Sequence, residues 1–470
     1  MRGRRLISVS LATALSVGLA GCKAGPDYRP PATGVTVSPG ATGAFVSATG
    51  RGFAQADLPD RWWTLYNDPR LDALIEQVLA ANTDLRAAGA NIDNAEAVLR
   101  QTDAGRKLET SVNAAGTLLH AEHDEQPFPG KVYHGLSLGA TYALDLAGKI
   151  RRGLEADLAD REAAVAARDA VRASVVAATV RAYAQVCAAN YQLGINRRVV
   201  AIQRETVSAT TRLARGGRGT AFDVSRAQAQ ADASAAALPA FVARRQAALY
   251  LLATLMGKAP ADYPREIEGC AALPALAKPL PVGDGSALIR RRPDIRAAER
   301  ALAGDTARIG VAMADLYPQV ELFGGIGRLN VVGGTIGQTA RAFSLGPMIS
   351  WSFPKRHAIE GRIDAAEARV RGDLARYDGT VLQALREAET AMESYARDRE
   401  QAAALEKARD SAALAAGQAG RLFRFGRGDF LSLLSAQASQ ASAEVAAAQA
   451  RARLVGDQVA VFEALGGGWQ

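Results

Sequence analysis

The sequence predicts a mixed α and β fold with two internal repeats, each placing a β-hairpin before a long helical hairpin. The stretch RLARGGRGTAFDVSRAQ begins at Arg212 and RLFRFGRGDFLSLLSAQ begins at Arg421, and the two align without a gap at a spacing of 421 − 212 = 209 residues. A phrase that recurs at this distance indicates duplication of a large unit. The other two observations are paired short segments of alternating polarity and the long helical stretch that follows each pair.

The alternating segments predict the strands. LETSVNAAGTLL and GLSLGATYALDL, which begin at Leu108 and Gly135, flank a polar, proline-containing loop. The pattern returns as QVELFGGIGRL and FSLGPMISWSF, which begin at Gln319 and Phe343. Strands of about 10 residues have the length that a tilted strand needs to cross a membrane. Four such strands are too few to close a barrel.

The helical stretch from about Lys149 to Leu213 contains no proline and places mostly apolar residues at a seven-residue spacing, which indicates coiled-coil packing. A second such helix is predicted from about Glu360 to Phe423. At 1.5 Å per residue these helices would extend about 98 Å, far beyond a globular helix. The spaced positions are Leu158, Val165, Thr179, Val186, Leu193, Val200 and Val207, with Arg172 as the exception.

Each Gly-Arg-Gly phrase predicts the tip at which a long helix reverses. Glycine allows the positive φ and the close backbone approach of a tight reversal, and Asp429 can cap the returning helix. The returning helices are predicted over about 220–256 and 429–465. A phosphate-binding loop is not indicated, because the pattern GxxxxGK[ST] is absent from both phrases.

Helix-start signals set the domain boundaries. Asp68 is a predicted N-cap with Pro69 at the first helical position, and Pro293 opens the corresponding helix of the second repeat. The first repeat is predicted over 69–270. A proline-rich linker over 271–285 separates it from the second repeat over 286–470.

The N-terminus predicts export and lipidation. Residues 1–21 combine a basic start, an apolar run and small residues, which is typical of a secretory signal peptide. The ending LAGC resembles a bacterial lipobox, so Cys22 is predicted to carry a covalent lipid, palmitate included; an ordinary signal with an incidental cysteine is the alternative. Residues 22–68 are rich in Gly, Pro, Ser and Thr and are predicted to form an extended tether. Lys23 after the cysteine favours the outer membrane by resemblance to lipoprotein sorting.

Charge and cysteine usage exclude several classes. The formal charge of +8 is spread along the chain, without the basic blocks interleaved with aromatics that nucleic-acid binding needs. No Ser/His/Asp arrangement or CxxC spacing indicates an enzyme or a metal cofactor. Cys187 and Cys270 are interpreted as two buried or free thiols, with a disulfide between them as the alternative. His120, His123 and His134 fit a solvated loop better than a metal site.

The chain resembles the TolC-type outer-membrane factor family, in its NodT-like lipoprotein branch. The resemblance rests on LAGC followed by GPDYRPP, on WWTLYNDPRLDALI, on RRRPDIRAAERALAGDTARIGVAMADLYPQV and on GRGDFLSLLSAQ. It implies a homotrimer with a 12-stranded β-barrel in the outer membrane, continued by an α-helical coiled-coil barrel in the periplasm. It also implies passive export of small molecules with a periplasmic adaptor and an inner-membrane transporter of the RND type. Arg291, Arg292 and Asp294 belong to the motif, and their expected role is either packing or helix-start electrostatics.

The resemblance also assigns site residues. Adaptor docking at the helical tips implies Gly216, Gly217 and Gly219 in the first repeat, and Gly426 and Gly428 in the second. The alternative is that these glycines serve only the turn.

The family's gate lies just past the second tip and combines a hydrophobic constriction with an acidic position. Counting from Gly426, Leu431 matches the constriction, whereas the acidic position falls on Ser435 and its basic partner is replaced by Ala438. We expect Leu431 to narrow the tunnel, and Asp223 and Asp429 to give its entrance a cation preference. The alternative is that both aspartates only cap helices.

Two other functions stay open at this point. One is an outer-membrane channel for type I protein secretion, which has the same architecture. The other is a periplasmic coiled-coil scaffold lipoprotein, which does not explain two membrane-length hairpins. A lipoprotein enzyme is disfavoured, because no catalytic arrangement stands out in the sequence.

Overall fold

The computed structural model describes residues 23–48, 50, 52–119, 131–332, 339–351 and 356–469. These residues form two compact units, one within 1–31, 90–165 and 297–377 and the other within 32–89, 166–296 and 378–470. The main elements are α1 (Pro69–Ala81), α2 (Thr83–Ala104), β1 (Glu109–Leu119), β2 (Lys131–Leu144), α3 (Lys149–Arg215), α4 (Ala221–Ala236), α5 (Leu238–Leu255), α6 (Gly285–Arg291), α7 (Pro293–Ala314), β3 (Gln319–Val332), β4 (Thr339–Ser350), α8 (Arg356–Arg424) and α9 (Phe430–Ala464).

Two predicted helix starts are confirmed. The side chain of Asp68 accepts a hydrogen bond from the backbone N–H of Arg70 at 3.1 Å, and Pro69 lies in the first turn of α1. A proline is tolerated there because the first N–H groups of a helix have no intrahelical partner. Pro293 opens α7 in the same way.

The strands of the first unit form one antiparallel sheet in the order β1-β2-β3-β4. Both predicted hairpins are confirmed, and β2 and β3 join them, with Leu138 opposite Ile326. The strands contain 11, 14, 14 and 12 residues, which is longer than predicted. Strands β1 and β4 are the outer strands of this sheet within one chain.

Because successive side chains of a strand point to opposite faces, the register separates apolar from polar positions. On the apolar face, Val112 lies opposite Leu138, and Ile326 lies opposite both Leu138 and Phe343. These side chains are exposed in the single chain, and the exposed fraction of Phe343 reaches 85%. The opposite, polar face is mostly small and polar, with Phe323 and Met348 as exceptions. Its small and polar residues include Ser111, Asn113, Ser137, Gly139, Gly325, Gly327 and Ser344.

Two helical hairpins follow the β-hairpins in sequence. The first hairpin comprises α3, α4 and α5, and the second comprises α8 and α9. Their helix ends correspond at one offset, since 424 − 215, 430 − 221 and 464 − 255 all equal 209. The first returning helix, predicted to be continuous, is interrupted at Ala237 because Pro239 in the first turn of α5 lacks a backbone N–H.

The predicted seven-residue stripe of α3 is buried over only part of its length. Thr179, Val186, Leu193 and Val200 are buried, whereas the exposed fraction of Leu158 is 45%. A straight helix with 3.6 residues per turn drifts by about 20° per heptad, so a strict spacing of seven leaves the buried face after several repeats.

Residues just after Cys22 are held against the first unit by the Arg152 clamp, which we define as Arg152 with its partners in residues 24–27. The buried guanidinium donates to the carbonyl oxygens of Ala24 and Gly25 at 2.8 and 2.6 Å, and it pairs with Asp27 at 3.0 Å. Gly25 has a φ of +80°, and a Cβ there would lie 2.5 Å from the Cα of Gly310. Residues 24–27 are therefore held in place against the first unit.

From residue 32 onward, the predicted tether packs within the second unit. Phe45, Leu58 and Trp62 have exposed fractions of 5%, 2% and 0%, and the Trp62 ring stacks on Phe462 at a centroid distance of 4.6 Å. Backbone N–H groups of this segment also donate to Glu389. The composition predicts an extended tether, but its widely spaced apolar residues bury against the helices instead.

Cys187 and Cys270 form a disulfide, with their Cα atoms 4.7 Å apart. The interpretation as two thiols is therefore wrong. Asn190 also joins α3 to the segment around Cys270, since its side chain donates to the carbonyl oxygens of Glu268 and Cys270 at 2.7 and 2.6 Å. The predicted linker over 271–285 is also held by a short parallel pairing, in which Phe53–Ala54 pairs with Leu280–Pro281.

Among the described residues, no helix has the length and apolar character needed to cross a membrane.

Candidate functional site

The first turn, at which the chain reverses between α3 and α4, closes α3 with a Schellman motif. The N–H of Arg218 donates to the carbonyl oxygen of Leu213 at 2.9 Å, and the N–H of Gly217 donates to that of Ala214 at 3.1 Å. Gly217 has a φ of +72°, the left-handed conformation that this motif requires. The glycine therefore follows from the backbone geometry.

The second turn, at which the chain reverses between α8 and α9, has the same geometry. The N–H of Arg427 donates to the carbonyl oxygen of Leu422 at 2.9 Å, and the N–H of Gly426 donates to that of Phe423 at 3.1 Å. The φ of Gly426 is +70°. The two turns are thus built on the same backbone hydrogen bonds.

The other predicted tip glycines divide into two kinds. A Cβ on Gly428 would lie 3.0 Å from the Cβ of Leu422, and one on Gly219 would lie 3.3 Å from the backbone N of Ala214, so both allow close approach to the preceding helix. A Cβ on Gly216 would meet only ordinary contacts at 3.6 Å. Its counterpart in the second turn is Phe425, whose exposed fraction is 78%.

Both predicted entrance aspartates cap returning helices. Asp223 completes a capping box with Thr220, accepting the N–H of Thr220 at 3.0 Å, whereas Asp429 is itself an N-cap and accepts the N–H of Ser432 at 2.8 Å. Hydrogen bonds from the Thr220 and Ser432 side chains hold the pKa of each carboxyl below its usual range. Both groups are therefore stable carboxylates at neutral pH, and capping does not remove their charge.

The predicted gate residues share an exposed face at the start of α9. Leu431 and Ser435 are one helical turn apart and exposed, and the exposed fraction of Leu431 is 54%. Leu433 and Leu434 turn inward and are buried. The first two turns of α9 therefore present a leucine and a hydroxyl outward from the single chain.

The equivalent positions of the first hairpin differ in chemistry. Phe222 and Arg226 occupy them at the same offset of 209, and the Arg226 guanidinium lies 5.5 Å from the centre of the Phe222 ring. The exposed fraction of Phe222 is 66%. This cation–π pair was not predicted from the sequence, although the repeat alignment makes its two residues equivalent to Leu431 and Ser435.

Contacts between the hairpins bring the two turns to one end of the second unit. The Thr206 hydroxyl donates to Gln437 Oε1 at 3.0 Å. Thr206 lies nine residues before the end of α3, and Gln437 lies seven residues after the start of α9. Because these distances along the two helices are similar, both turns lie beyond the same contact.

A second feature missed by the sequence analysis is a carboxyl pair in the second hairpin. Asp457 on α9 lies beside Asp398 on α8, and Arg453 lies 3.6 Å from Asp398. Burial and the neighbouring Asp398 charge raise the pKa of Asp457 to about 6. Residues 209 positions earlier are Ala189 and Ala248, both buried.

The remaining predicted residues have varied outcomes. Arg292 pairs with Asp294 and Glu387 and donates to the carbonyl oxygen of Ala464 at 2.9 Å, which agrees with a packing role. Cys22, His120 and His123 lie outside the described residues. Within the described part of the chain, no group of three or more potential metal ligands occurs.

An antiparallel sheet with one exposed apolar face, together with long helical hairpins that end in matched turns, defines a class of channel-forming outer-membrane proteins. The chain belongs to the outer membrane efflux protein family, which matches residues 74–258 and 285–467. The predicted family resemblance is therefore confirmed.

Similar proteins agree with this assignment. Nodulation protein T of Rhizobium leguminosarum bv. trifolii is 27% identical over 440 residues, which cover 93% of this chain and 92% of the relative. Outer membrane protein OprJ of Pseudomonas aeruginosa is 28% identical over 463 residues, covering 97% and 95%.

Solved structures agree on the fold. The outer-membrane channel OprN has a TM-score of 0.86 and 36% identity, covering 95% of this chain and 100% of that chain. The open state of the Neisseria gonorrhoeae MtrE outer membrane channel has a TM-score of 0.81 and 28% identity, covering 96% and 99%. These neighbours are channel proteins and not enzymes.

Proposed function

We propose that this protein is the outer-membrane channel of a tripartite efflux system and passively conducts small molecules. An inner-membrane transporter of the RND type would deliver them through a periplasmic adaptor. The observation that carries the proposal is the exposed apolar face of the four-stranded sheet, opposite a face of small and polar residues. A face of this kind suits lipid, and the polar face suits a water-filled lumen.

The sheet also supports the proposed trimer. In lipid, the outer strands β1 and β4 must satisfy their free backbone groups by pairing, since no water is available there. Three copies, each contributing four strands, close a barrel of 12 strands and leave no edge. The helical hairpins of the three copies then form the periplasmic α-helical barrel. The constant offset of 209 residues supports two internal repeats in each chain.

The lipid on Cys22 is part of the same proposal. The Arg152 clamp fixes residues 24–27, so a lipidated Cys22 would be two residues from a fixed point of the first unit. The acyl chains would enter the outer membrane close to the barrel. The protein would therefore be lipid-anchored in that membrane and extend into the periplasm.

The two turns are the proposed adaptor-docking site. Gly217 and Gly426 fix their backbones, and Gly219 and Gly428 hold them close to the preceding helices. Gly216 is exposed and leaves space in the first turn where the second presents Phe425. An adaptor that meets these turns would contact a similar backbone surface twice in each chain.

The gate is proposed at the start of α9. The exposed face formed by Leu431 and Ser435 would face the tunnel axis, where three copies of Leu431 narrow the path. Asp223 and Asp429 add carboxylates near the entrance, which favours cations over anions. A protein-secretion channel would use the same elements. Membership of the outer membrane efflux protein family, rather than a feature of the site, favours efflux.

Single-channel conductance in a planar bilayer tests the proposal. Wild-type protein should give small, flickering currents, and Leu431→Ser should give larger and steadier ones because the apolar constriction is lost. Leu414→Ser is the matched control, since Leu414 is similarly exposed but lies on α8 away from the turns. Trimers that resist dissociation by SDS should be present in all three samples.

The outcomes separate the competing functions. No current from any protein shown to be inserted would contradict the channel and favour the periplasmic scaffold. Equal conductance of the wild type and Leu431→Ser would leave the channel in place but contradict the assignment of the gate.

A further inference from the structure

Six arginines lie around the two turns, and they recur in both hairpins although exposed residues beside them differ. In each hairpin, two lie near the end of the long helix and one lies just past it. All six are exposed, and they are Arg212, Arg215 and Arg218 in the first hairpin and Arg421, Arg424 and Arg427 in the second. Like charges three residues apart on a helix are neighbours and repel, so each pair is unfavourable within the chain.

The chain does not pair these arginines with carboxylates. Asp223 and Asp429 are the only acidic residues in 206–231 and 411–443, and both accept hydrogen bonds at the starts of the returning helices. Within the described part of the chain, the six arginines form no ion pair, and only Arg212 makes a side-chain hydrogen bond, to the hydroxyl of Ser208 at 2.7 Å. Positive charge at the turns is therefore not neutralised by neighbouring side chains.

The helix dipole explains part of this pattern. Positive charge near the C-terminus of a helix is stabilising, which accounts for Arg215 and Arg424 at the ends of α3 and α8. Arg218 and Arg427 lie instead between one helix C-terminus and the next helix N-terminus, where the second dipole disfavours a positive charge. Their N–H groups complete the Schellman motifs, so both backbones are fixed. These two arginines therefore have the same backbone position in each turn, and the helix dipoles do not account for them.

An exposed phenylalanine accompanies the arginines in each hairpin. Phe425 follows Arg424 directly in the second turn, and Phe222 lies in the first helical turn of α4. Their exposed fractions are 78% and 66%. Arginine and aromatic side chains together are typical of the residues that contribute most to protein–protein binding. The surface of each turn therefore suits a folded protein that offers both an apolar contact and negative charge.

We propose that the two turns dock an adaptor whose contact surface is acidic, with carboxylates paired to Arg218 and Arg427. The inference rests on the proposed function, because that function places an adaptor at the turns, and it adds the charge of this partner. A planar guanidinium binds a carboxylate through two parallel N–H donors, which gives the contact a defined orientation. Complementary charge also raises the association rate and disfavours partners with a basic surface.

The test measures how the full-length trimer in detergent binds a defined probe. The probe is a fluorescent helical hairpin peptide with glutamates in its loop, and the matched probe has glutamines at the same positions. Fluorescence anisotropy should show that wild type binds the glutamate probe about tenfold more tightly in about 0.1 M salt. The preference should nearly disappear in about 1 M salt, because the Debye length falls from about 10 Å to about 3 Å.

Matched variants show which charges matter. Arg218→Gln/Arg427→Gln should reduce the preference about fivefold, and the corresponding double Lys variant should be intermediate because lysine lacks the planar fork. Arg197→Gln/Arg371→Gln removes the same number of positive charges from exposed helix positions outside the turns and should keep the preference. Arg427→Gln alone serves if the double variant does not form SDS-resistant trimers, and it should reduce the preference about twofold. An unchanged preference in the Gln variants of the turns, or an equal loss in the control, would overturn the acidic docking site.

Conductance of the same preparations separates this inference from the proposed channel. Wild-type protein that conducts but binds both probes equally contradicts the acidic partner alone. Protein that inserts but never conducts contradicts the channel and, with it, the identity of the partner as an adaptor. Soluble polyglutamate has the charge without the hairpin. If it displaced the glutamate probe as strongly as unlabelled probe does, the turns would be a general anion surface, which would overturn a folded protein as their partner.

Discussion

The first and second helical hairpins share a backbone and differ in what they present to their surroundings. Their turns have the same Schellman hydrogen bonds, and Gly217 and Gly426 have almost the same φ. Beside this common frame, the first hairpin carries Gly216 and Phe222, and the second carries Phe425 and Leu431 at the equivalent positions.

The repeated Gly-Arg-Gly phrase and its neighbours have two roles, which are to reverse the chain and to present side chains outward. The difference between the hairpins separates these roles. Glycine at the left-handed position is needed to reverse the chain, so it occurs in both turns. Side chains that point outward are free of that requirement, and apart from the repeated arginines they have diverged. Conserved geometry with divergent surfaces is what we expect if both turns close the helical barrel but only the second contributes the constriction.

The largest effect is expected from breaking the turns themselves. Gly426→Val and Gly217→Val place a β-branched residue at positive φ, at a local cost of about 1–2 kcal/mol. We expect SDS-resistant trimers to persist and adaptor recovered by chemical crosslinking to fall at least tenfold. Gly194→Ala is the control and should leave adaptor recovery unchanged, since Gly194 lies within α3 away from the turn and a Cβ there would meet no atom within 4 Å. Loss of the trimers would show that the glycines serve only the turn.

The next effect sharpens the comparison through the disulfide, which joins α3 of the first hairpin to the segment after α5. Ala396 stands 209 residues after Cys187. Replacing both cysteines by alanine should lower the free energy of unfolding by about 2–4 kcal/mol, because the bond closes a long loop. Guanidinium denaturation measures this change, and wild type under reductant should match the variant. An unchanged midpoint would contradict the expected stabilisation.

A smaller effect distinguishes capping from charge at the entrance. Asp429→Asn keeps an N-cap of similar quality and removes the carboxylate. The ratio of cation to anion permeability should fall by about twofold in a salt gradient. Because the pKa of Asp429 lies below its usual range, wild-type selectivity should persist at pH 5 and weaken only under stronger acid. An unchanged reversal potential would leave Asp429 with capping alone.

The smallest effect concerns the carboxyl pair, which the first hairpin replaces with alanines. The pKa of Asp457 is raised from 3.8 to about 6, so protonation of this carboxyl contributes to the stability of the folded protein. This contribution is complete below about pH 4 and is lost as the pH rises through 6. Asp457→Asn should therefore melt about 2 °C above wild type at pH 8 and equally at pH 4.

The control for this last prediction is Asp410→Asn, which removes an exposed carboxylate from α8. It should not change the pH dependence of melting. A difference between wild type and Asp457→Asn that is the same at pH 4 and pH 8 would show that ionisation of the pair does not matter.

The sequence predicts features whose physical cause is local. Asp68, Pro69 and Pro293 mark helix starts, and the two Gly-Arg-Gly phrases mark the turns, because each acts through its own backbone. Alternating polarity likewise identifies the strands. Pro239 is visible in the sequence and also explains the break in the first returning helix, although helical composition on both sides favours continuity.

Features that depend on distant partners could not be predicted in this way. Cys187 and Cys270 are separated by 83 positions, and no local spacing indicates their pairing. Asp398 and Asp457 meet only because two helices pack at that height. The opposition of Leu138 and Ile326 depends on strand register, which the intervening sequence does not determine.

Duplication of the turn has a consequence for stoichiometry. The proposed trimer would present six helix reversals, three of each kind. A partner that recognises the shared backbone geometry would find six nearly equivalent places, whereas one that recognises Phe425 would find three. Counting adaptor copies per channel would therefore show whether assembly depends on the common frame or on the side chains that distinguish the two hairpins.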